Sequence, residues 1–229
     1  PMHTFGHAMR IERLLEVAGS FGIPVVEDAA ESLGTSYRSR HTGTFGLLGT
    51  LSFNGNKIIT TGGGGAILTN SATLAKRAKH LTTTAKLPHP WRFVHDEVGY
   101  NYRLPNLNAA LGCAQIEMLP HLLEQKKYLA HAYKAAFANK SNLNFFDQPE
   151  GSESNFWLNT ILISGGDISL RDSLLDLANN SGYQCRPAWD LMHSLAMFQN
   201  NPRADLPVSE FLVASLMNLP SSARLGAKK

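Results

Sequence analysis

One lysine, Lys57, stands in an unusual local sequence: SFNGNK ends at it and IITTGGGG follows. An amine attacks a carbonyl only when neutral, and partial burial with nearby positive charge provides that state. Upstream, Val25-Val26 runs into Glu27-Asp28. An apolar run ending in carboxylates reads as a buried strand that delivers charge at its C-terminal end, where open α/β sheets bind ligands. A second strand-like run, Thr50 to Phe53, carries Ser52. An acid, a hydroxyl and an amine are therefore expected to converge on one pocket. The blander readings stand beside this one: most lysines are solvated, and an acid at a strand end is often a helix cap. The glycines Gly62 to Gly65 let backbone approach a ligand or adopt positive φ. They fit neither a G-x-G-x-x-G fingerprint nor a P-loop.

These groups need a frame. Ile11, Leu14, Leu15, Ala18 and Phe21 have helical spacing over residues 9–22, with Gly22 as a stop and Pro24 opening the next strand. Ser71 reads as the N-cap of a helix reaching about Thr84, with Leu74, Ala75, Ala78 and Leu81 on one side. Its basic run, Lys76, Arg77 and Lys79, reads as a solvated face. The loop KLPHPWRFVHDE follows. From Asn106 to Asn139 the pattern is long-helical, and Pro120 is expected to kink or divide it. A domain boundary is placed there. Beyond it lie a strand over Phe156–Ile163, helices over Leu170–Asn180 and 208–217, and a short strand and loop in CRPAWDLMH. His3 and His7 are four apart. Gly6 and the lack of a third ligand argue against zinc, leaving a loop near a substrate mouth.

The 229 residues are 43% hydrophobic and 17% charged, enough for one large domain with or without a smaller one. A net charge of +3 is mild and gives no nucleic-acid footprint. Two cysteines, Cys113 and Cys185, form no metal or redox spacing, which suits a reduced cytoplasmic protein. No signal peptide or membrane-span-length apolar run is visible.

EDAAESLG, TGTFG, SFNGNK, TTGGGGAILTN and GYNYRLPNLNAALGCAQ together resemble the DegT/DnrJ/StrS sugar aminotransferases. These are pyridoxal phosphate enzymes of the aspartate aminotransferase fold, and the similarity runs over nearly the whole chain. It implies an α/β, fold type I transferase. Residues 1–120 would be part of a large cofactor-binding domain with a mainly parallel sheet, and 121–229 a small α+β domain. The N-terminal part of the family's large domain is expected to lie outside this sequence.

The same resemblance implies roles. Lys57 would form the Schiff base with pyridoxal 5'-phosphate, and Asp28 would pair with the pyridine nitrogen. Glu31 would lie beside the phenolic oxygen, and Ser52 would bind the phosphate. Asn101 would reach the cofactor phosphate of a neighbouring subunit, implying a homodimer. His95, Arg186 and His193 are candidate substrate contacts, and no metal ligand set is assigned. The implied reaction moves an amino group from an amino acid, glutamate, to a nucleotide-linked 4-keto-6-deoxy sugar. The block from TTAKLPHPW through AALGCAQ most resembles the legionaminic-acid and bacillosamine branch. Two other readings stand. One is a truncated remnant acting only as a binding or pairing module. The other is a pyridoxal phosphate-dependent sugar dehydratase, in which histidine replaces the lysine.

Overall fold

The computed structural model describes residues 1–227. Most of the apolar stripe expected of the first helix forms: α1 (Ile11–Ser20) sets Ile11, Leu14, Leu15 and Ala18 against Ala8, Val25 and Tyr37, while Phe21, just past the helix end, is exposed. Gly22, at φ +64°, turns the chain, and the Ile23 amide donates back to the Ala18 carbonyl. The chain then enters β1 (Val26–Asp28).

The other short strands of this region are β2 (Ser36–Tyr37), β3 (Arg40–His41), β4 (Leu48–Ser52) and β5 (Gly65–Leu68). Strand β1 pairs parallel with β4, so that Asp28 lies opposite Thr50. Strand β5 pairs antiparallel with β4. The three-stranded sheet β1-β4-β5 therefore holds one parallel and one antiparallel pairing. Gly49 has to be glycine, since a Cβ there would sit 1.9 Å from the Gly43 carbonyl oxygen.

His3 is fully buried, in a loop whose Phe5 amide bonds to the Glu31 carboxylate. Its Nδ1 accepts from the Met9 amide, which puts the proton of a neutral ring on Nε2, 3.0 Å from Glu27. Burial pushes the Glu27 carboxyl up. The His3 hydrogen bond and the amides of Gly46 and Gly43 outweigh it and hold the group below the usual carboxylate range. These bonds fix the 43–46 turn to β1.

Helix α2 (Ala72–Thr82) is capped by Ser71, whose side chain accepts from the Leu74 amide. A hairpin, β6 (Lys86–Leu87) with β7 (Val94–His95), follows. Just beyond it, Glu97 pairs with both ends of the Arg77 guanidinium, and Asp96 lies 2.7 Å from His80. His80, Asp96 and Glu97 bring three ligand atoms within 4.8 Å of one another. Arg77 already compensates the charge of that cluster.

Helix α3 (Asn106–Phe137) runs unbroken through Pro120. Of the two outcomes expected at Pro120, a kink or a division, the division does not occur. One proline removes a single helical hydrogen bond and costs about 3 kcal/mol. Contacts on both sides of Pro120 offset this: before it Gln115 accepts the Thr60 amide, and after it Leu123 closes over Gly34 while Leu129 and Ala130 are buried. Among the described residues no helix is long and apolar enough to cross a membrane.

The chain forms two compact units, Pro1–Glu124 with Gln148–Trp157, and Gln125–Asp147 with Leu158–Lys229. The return of 148–157 to the first unit is made by β9 (Ser152–Glu153), which adds to β2 on the side opposite β3. The second unit is an antiparallel sheet of β8 (Leu143–Phe145), β10 (Asn159–Ile163), β11 (Arg186–Pro187) and β12 (Leu216–Leu219), in the order β11-β12-β10-β8. Ile161, Ile163, Leu175, Cys185, Met217 and Leu219 form its core. Helix α4 (Ile168–Asn180) is capped by Asp167, and α5 (Pro207–Ser215) precedes β12.

Two boundaries differ from expectation. The strand starts at Asn159 rather than Phe156, because Phe156 has φ +46°, which no strand tolerates. The last helix stops at Ser215, because 216–219 pair with β10 as a strand instead.

Lys126 on α3 is 4% exposed and donates to the Ser221 carbonyl. Burial lowers its pKa from 10.5 to about 7. Above pH 7 the unfolded lysine still holds its proton while the folded one has released it. Stability is therefore expected to rise with pH from about 7, by roughly 1.4 kcal/mol per pH unit at most. From about pH 9 upward Cys185 and Tyr133, whose pKa values burial raises, act in the opposite sense. Urea unfolding across pH 7 to 9 measures the slope, and Lys126→Met should flatten it.

Candidate active site

Strands β1 and β4 run parallel with Asp28 opposite Thr50, so Asp28 and Ser52 emerge at the same, C-terminal end of the two strands. A loop then leaves β4 and returns to β5. Its two arms are tied by Phe53 N–H to the Gly64 carbonyl and Thr61 N–H to the Phe53 carbonyl, at 2.9 and 3.0 Å. Gly62 and Gly64 take positive φ (+79° and +93°), which turns the returning arm without strain. Asn108 of α3 donates to the Thr61 carbonyl. Lys57 sits within this braced loop, its amide bonded to the Asn54 carbonyl.

The Lys57 side chain points inward and is only 13% exposed. Its Nζ lies 3.7 Å from Glu31 Oε1 and 4.1 Å from the centroid of the Trp157 ring. Ser52, Glu31, Lys57 and Trp157 line one small depression with Ala30, Leu33, Ile58 and Ile59.

Glu31 is 5% exposed and accepts the Phe5 amide at 2.8 Å. Burial pushes its carboxyl above the usual range. The Phe5 amide and the Lys57 charge oppose that push, and the nearby Asp28 charge adds to it. Asp28 and Lys57 thus both act on Glu31. The arrangement offers an inward-facing amine, a hydroxyl and two carboxylates at one end of the strands. That set can capture an aldehyde, hold an anion and stabilise a cationic heteroaromatic nitrogen.

Asn101, His95, Arg186 and His193 are not among the residues lining that depression. Asn101 makes an isolated bridge with Thr83 and accepts from Arg103 at 3.2 Å. The His95 ring lies 2.7 Å from the Thr84 carbonyl, in an exposed position. In the second unit Arg186 donates to the Asn179 side chain and the Cys185 carbonyl, and His193 lies 3.3 Å from Glu210. A wide cavity of about 740 Å³ opens between β5, α2 and residues 102–108, and neither Lys57 nor Glu31 lines it.

Sequence reasoning missed two residues that shape the site, Asn155 and Trp157. The Asn155 Nδ2 donates to the carbonyls of Glu31 and Leu33, both at 2.9 Å, and its Oδ1 accepts the Trp157 amide at 2.8 Å. The Trp157 indole donates to the Asn56 carbonyl at 2.7 Å. Ser154 donates to the Gly6 carbonyl, and a Cβ on Gly6 would strike Asn155 Oδ1 at 1.9 Å. No spacing rule links GSESNFW to a lysine 100 residues earlier, since 101 positions separate Asn56 from Trp157. The segment reads locally as a loop entering a strand.

Known proteins share this sequence and frame. EpsN of Bacillus subtilis, provisionally named a pyridoxal phosphate-dependent aminotransferase, is 36% identical over 197 residues, 86% of this chain and 50% of EpsN. The GDP-perosamine synthase of Escherichia coli O157:H7 is 33% identical over 224 residues, 96% of this chain and 59% of that protein. The chain thus spans half to about three-fifths of the length of these relatives. In structure it matches Helicobacter pylori PseC, an aminotransferase involved in pseudoaminic acid biosynthesis, at a TM-score of 0.93. That match has 22% identity and covers 98% of this chain and 61% of PseC, which shows the fold. The profile of one family matches residues 1–229 from end to end. By that match, and by the kinship of its sequence, this chain belongs to the DegT/DnrJ/EryC1/StrS aminotransferase family.

Proposed function

We propose that this chain carries the reactive amine of a pyridoxal phosphate-dependent aminotransferase acting on a nucleotide-linked 4-keto-6-deoxy sugar, with glutamate as amino donor. The observation that carries the reading is the inward-facing Lys57 amine beside Glu31, at the end of the strands that also presents Asp28 and Ser52. The donor set fits the cofactor's chemistry. Lys57 would hold its aldehyde carbon, Ser52 its phosphate, Asp28 its ring nitrogen and Glu31 its phenolic oxygen. Asn101 would serve the phosphate of a second copy in a homodimer.

Pyridoxal phosphate, when bound, supplies an electron sink that makes the proton on an amino-bearing carbon removable. Lys57 would take and return that proton, a service of one general acid–base group worth about 10²–10⁴ in rate. Asp28 would keep the ring nitrogen protonated by its negative charge. Glu31 is buried and bonded to the Phe5 amide, so it would present one fixed oxygen rather than a mobile one. The perosamine synthase relative carries a nucleotide sugar in its name, which supports that substrate class.

The test supplies pyridoxal phosphate, glutamate and a nucleotide-linked 4-keto-6-deoxy sugar, and follows the sugar by mass spectrometry. Replacement of the carbonyl oxygen by an amino group, with 2-oxoglutarate formed in step, is the expected result. Loss of water without gain of nitrogen would instead indicate a dehydratase. No change with glutamate, but amination with another donor, would overturn the donor assignment alone.

A further inference from the structure

Trp157 is the one large aromatic ring lining the depression that holds Lys57, and it enters from a segment far along the chain. Its position is over-determined. The indole N–H is bonded to the Asn56 carbonyl, next to Lys57 itself, and its backbone N–H to Asn155 Oδ1. Phe156, in the left-handed region at φ +46°, swings the chain so that Trp157 faces the loop. A non-glycine residue held there costs about 1 kcal/mol or more and persists only where its surroundings fix it. Here Ser154 Oγ accepts the Phe156 amide at 2.9 Å. The ring face lies 4.1 Å from the Lys57 Nζ, on which the Glu31 carboxylate also acts from 3.7 Å. Indole is the strongest cation-binding face among the aromatic side chains.

We propose that Trp157 is a positioning residue for Lys57: its ring and Glu31 together form a berth that holds the lysine ammonium whenever that amine is not bonded to another group. The inference rests on the reading of Lys57 as the reactive amine. It adds a second role to the site. In any transfer in which Lys57 gives up its bond and later resumes it, the amine must wait in a defined place. A long four-carbon side chain loses about 2 kcal/mol of rotamer freedom when fixed. An aromatic face offsets part of that cost without a competing hydrogen-bond acceptor, so the amine remains able to leave. Glu31 supplies charge, and Trp157 supplies direction.

The test needs no cofactor. Lys57 is acetylated with acetic anhydride across a range of pH, and the modified peptide is quantified by mass spectrometry in wild type, Trp157→Phe and Trp157→Leu. Loss of the ring should free the amine from its berth. In Trp157→Leu, Lys57 is expected to react about 3- to 10-fold faster than in wild type, with the other lysines unchanged. Trp157→Phe keeps an aromatic face and should stay within about twofold of wild type. An unchanged rate in Trp157→Leu, or equal rates for Phe and Leu, overturns the proposal. Thermal melts of each variant exclude unfolding as the cause. Because acetylation is read on the cofactor-free chain, failure to bind pyridoxal phosphate would sink the proposed function and leave this measurement standing.

Discussion

Lys57→Ala is expected to abolish amino transfer while leaving the fold in place. The substitution removes both the group that would hold the cofactor aldehyde and the group that would move the substrate proton. The proton-transfer role alone is worth about 10²–10⁴ in rate, so a residual rate above roughly one-hundredth of wild type would refute the assignment. The readout is single-turnover conversion of the keto sugar, together with covalent attachment of pyridoxal phosphate trapped by borohydride and located by peptide mapping. Wild type should carry the label on Lys57 and the variant should carry none. A second consequence is electrostatic. The Lys57 charge opposes the upward push that burial exerts on the Glu31 carboxyl. Without the amine, Glu31 should bind its proton more readily still, visible as a shift of its carboxyl titration to higher pH by carbon-13 NMR.

The largest structural effect should come from Asn155→Ala. That side chain is fully buried and meets three backbone groups at once: the Glu31 and Leu33 carbonyls and the Trp157 amide. Alanine would leave all three without that partner in a place water does not reach. Each such group costs about 1–3 kcal/mol. The expected loss is on the order of 3–5 kcal/mol, allowing for local relaxation, and chemical denaturation measures it. Asn155→Asp is a useful companion. It keeps the acceptor for the Trp157 amide but loses both donors and sets a carboxyl against two carbonyls, so it should be no better tolerated than alanine. A loss under about 1 kcal/mol for the alanine variant would show that the 154–157 segment is held by other means.

Much of the site could be read from the chain because its parts lie close in sequence. Asp28, Glu31, Ser52 and Lys57 fall within thirty residues, at the ends of two neighbouring strands or in the loops that follow them, so an apolar run ending in acids and a lysine before glycines were informative signals. Helices α1, α2 and α4 were legible for the same reason, since period and caps are local properties. What escaped was decided by distant partners. Residues 216–219 continue an apolar helical pattern, yet β10 recruits them into a sheet. Phe156 has strand-forming chemistry, yet bonds to Ser154 and its neighbours hold it in a left-handed turn. His3 pairs with Glu27 across 24 positions, a contact no periodicity announces.

The path of the chain has one more implication. Residues 125–147 lie outside the first unit, and 148–157 come back to it. Synthesis from the N-terminus therefore delivers the loop bearing the amine long before the indole that covers it. A nascent polypeptide released from the ribosome as far as Asp147 would hold Asp28, Glu31, Ser52 and Lys57 but not Trp157, with the Glu31 and Leu33 carbonyls still waiting for Asn155. The order of translation thus leaves the reactive pocket open until late, and its closure marks the moment the unit is complete.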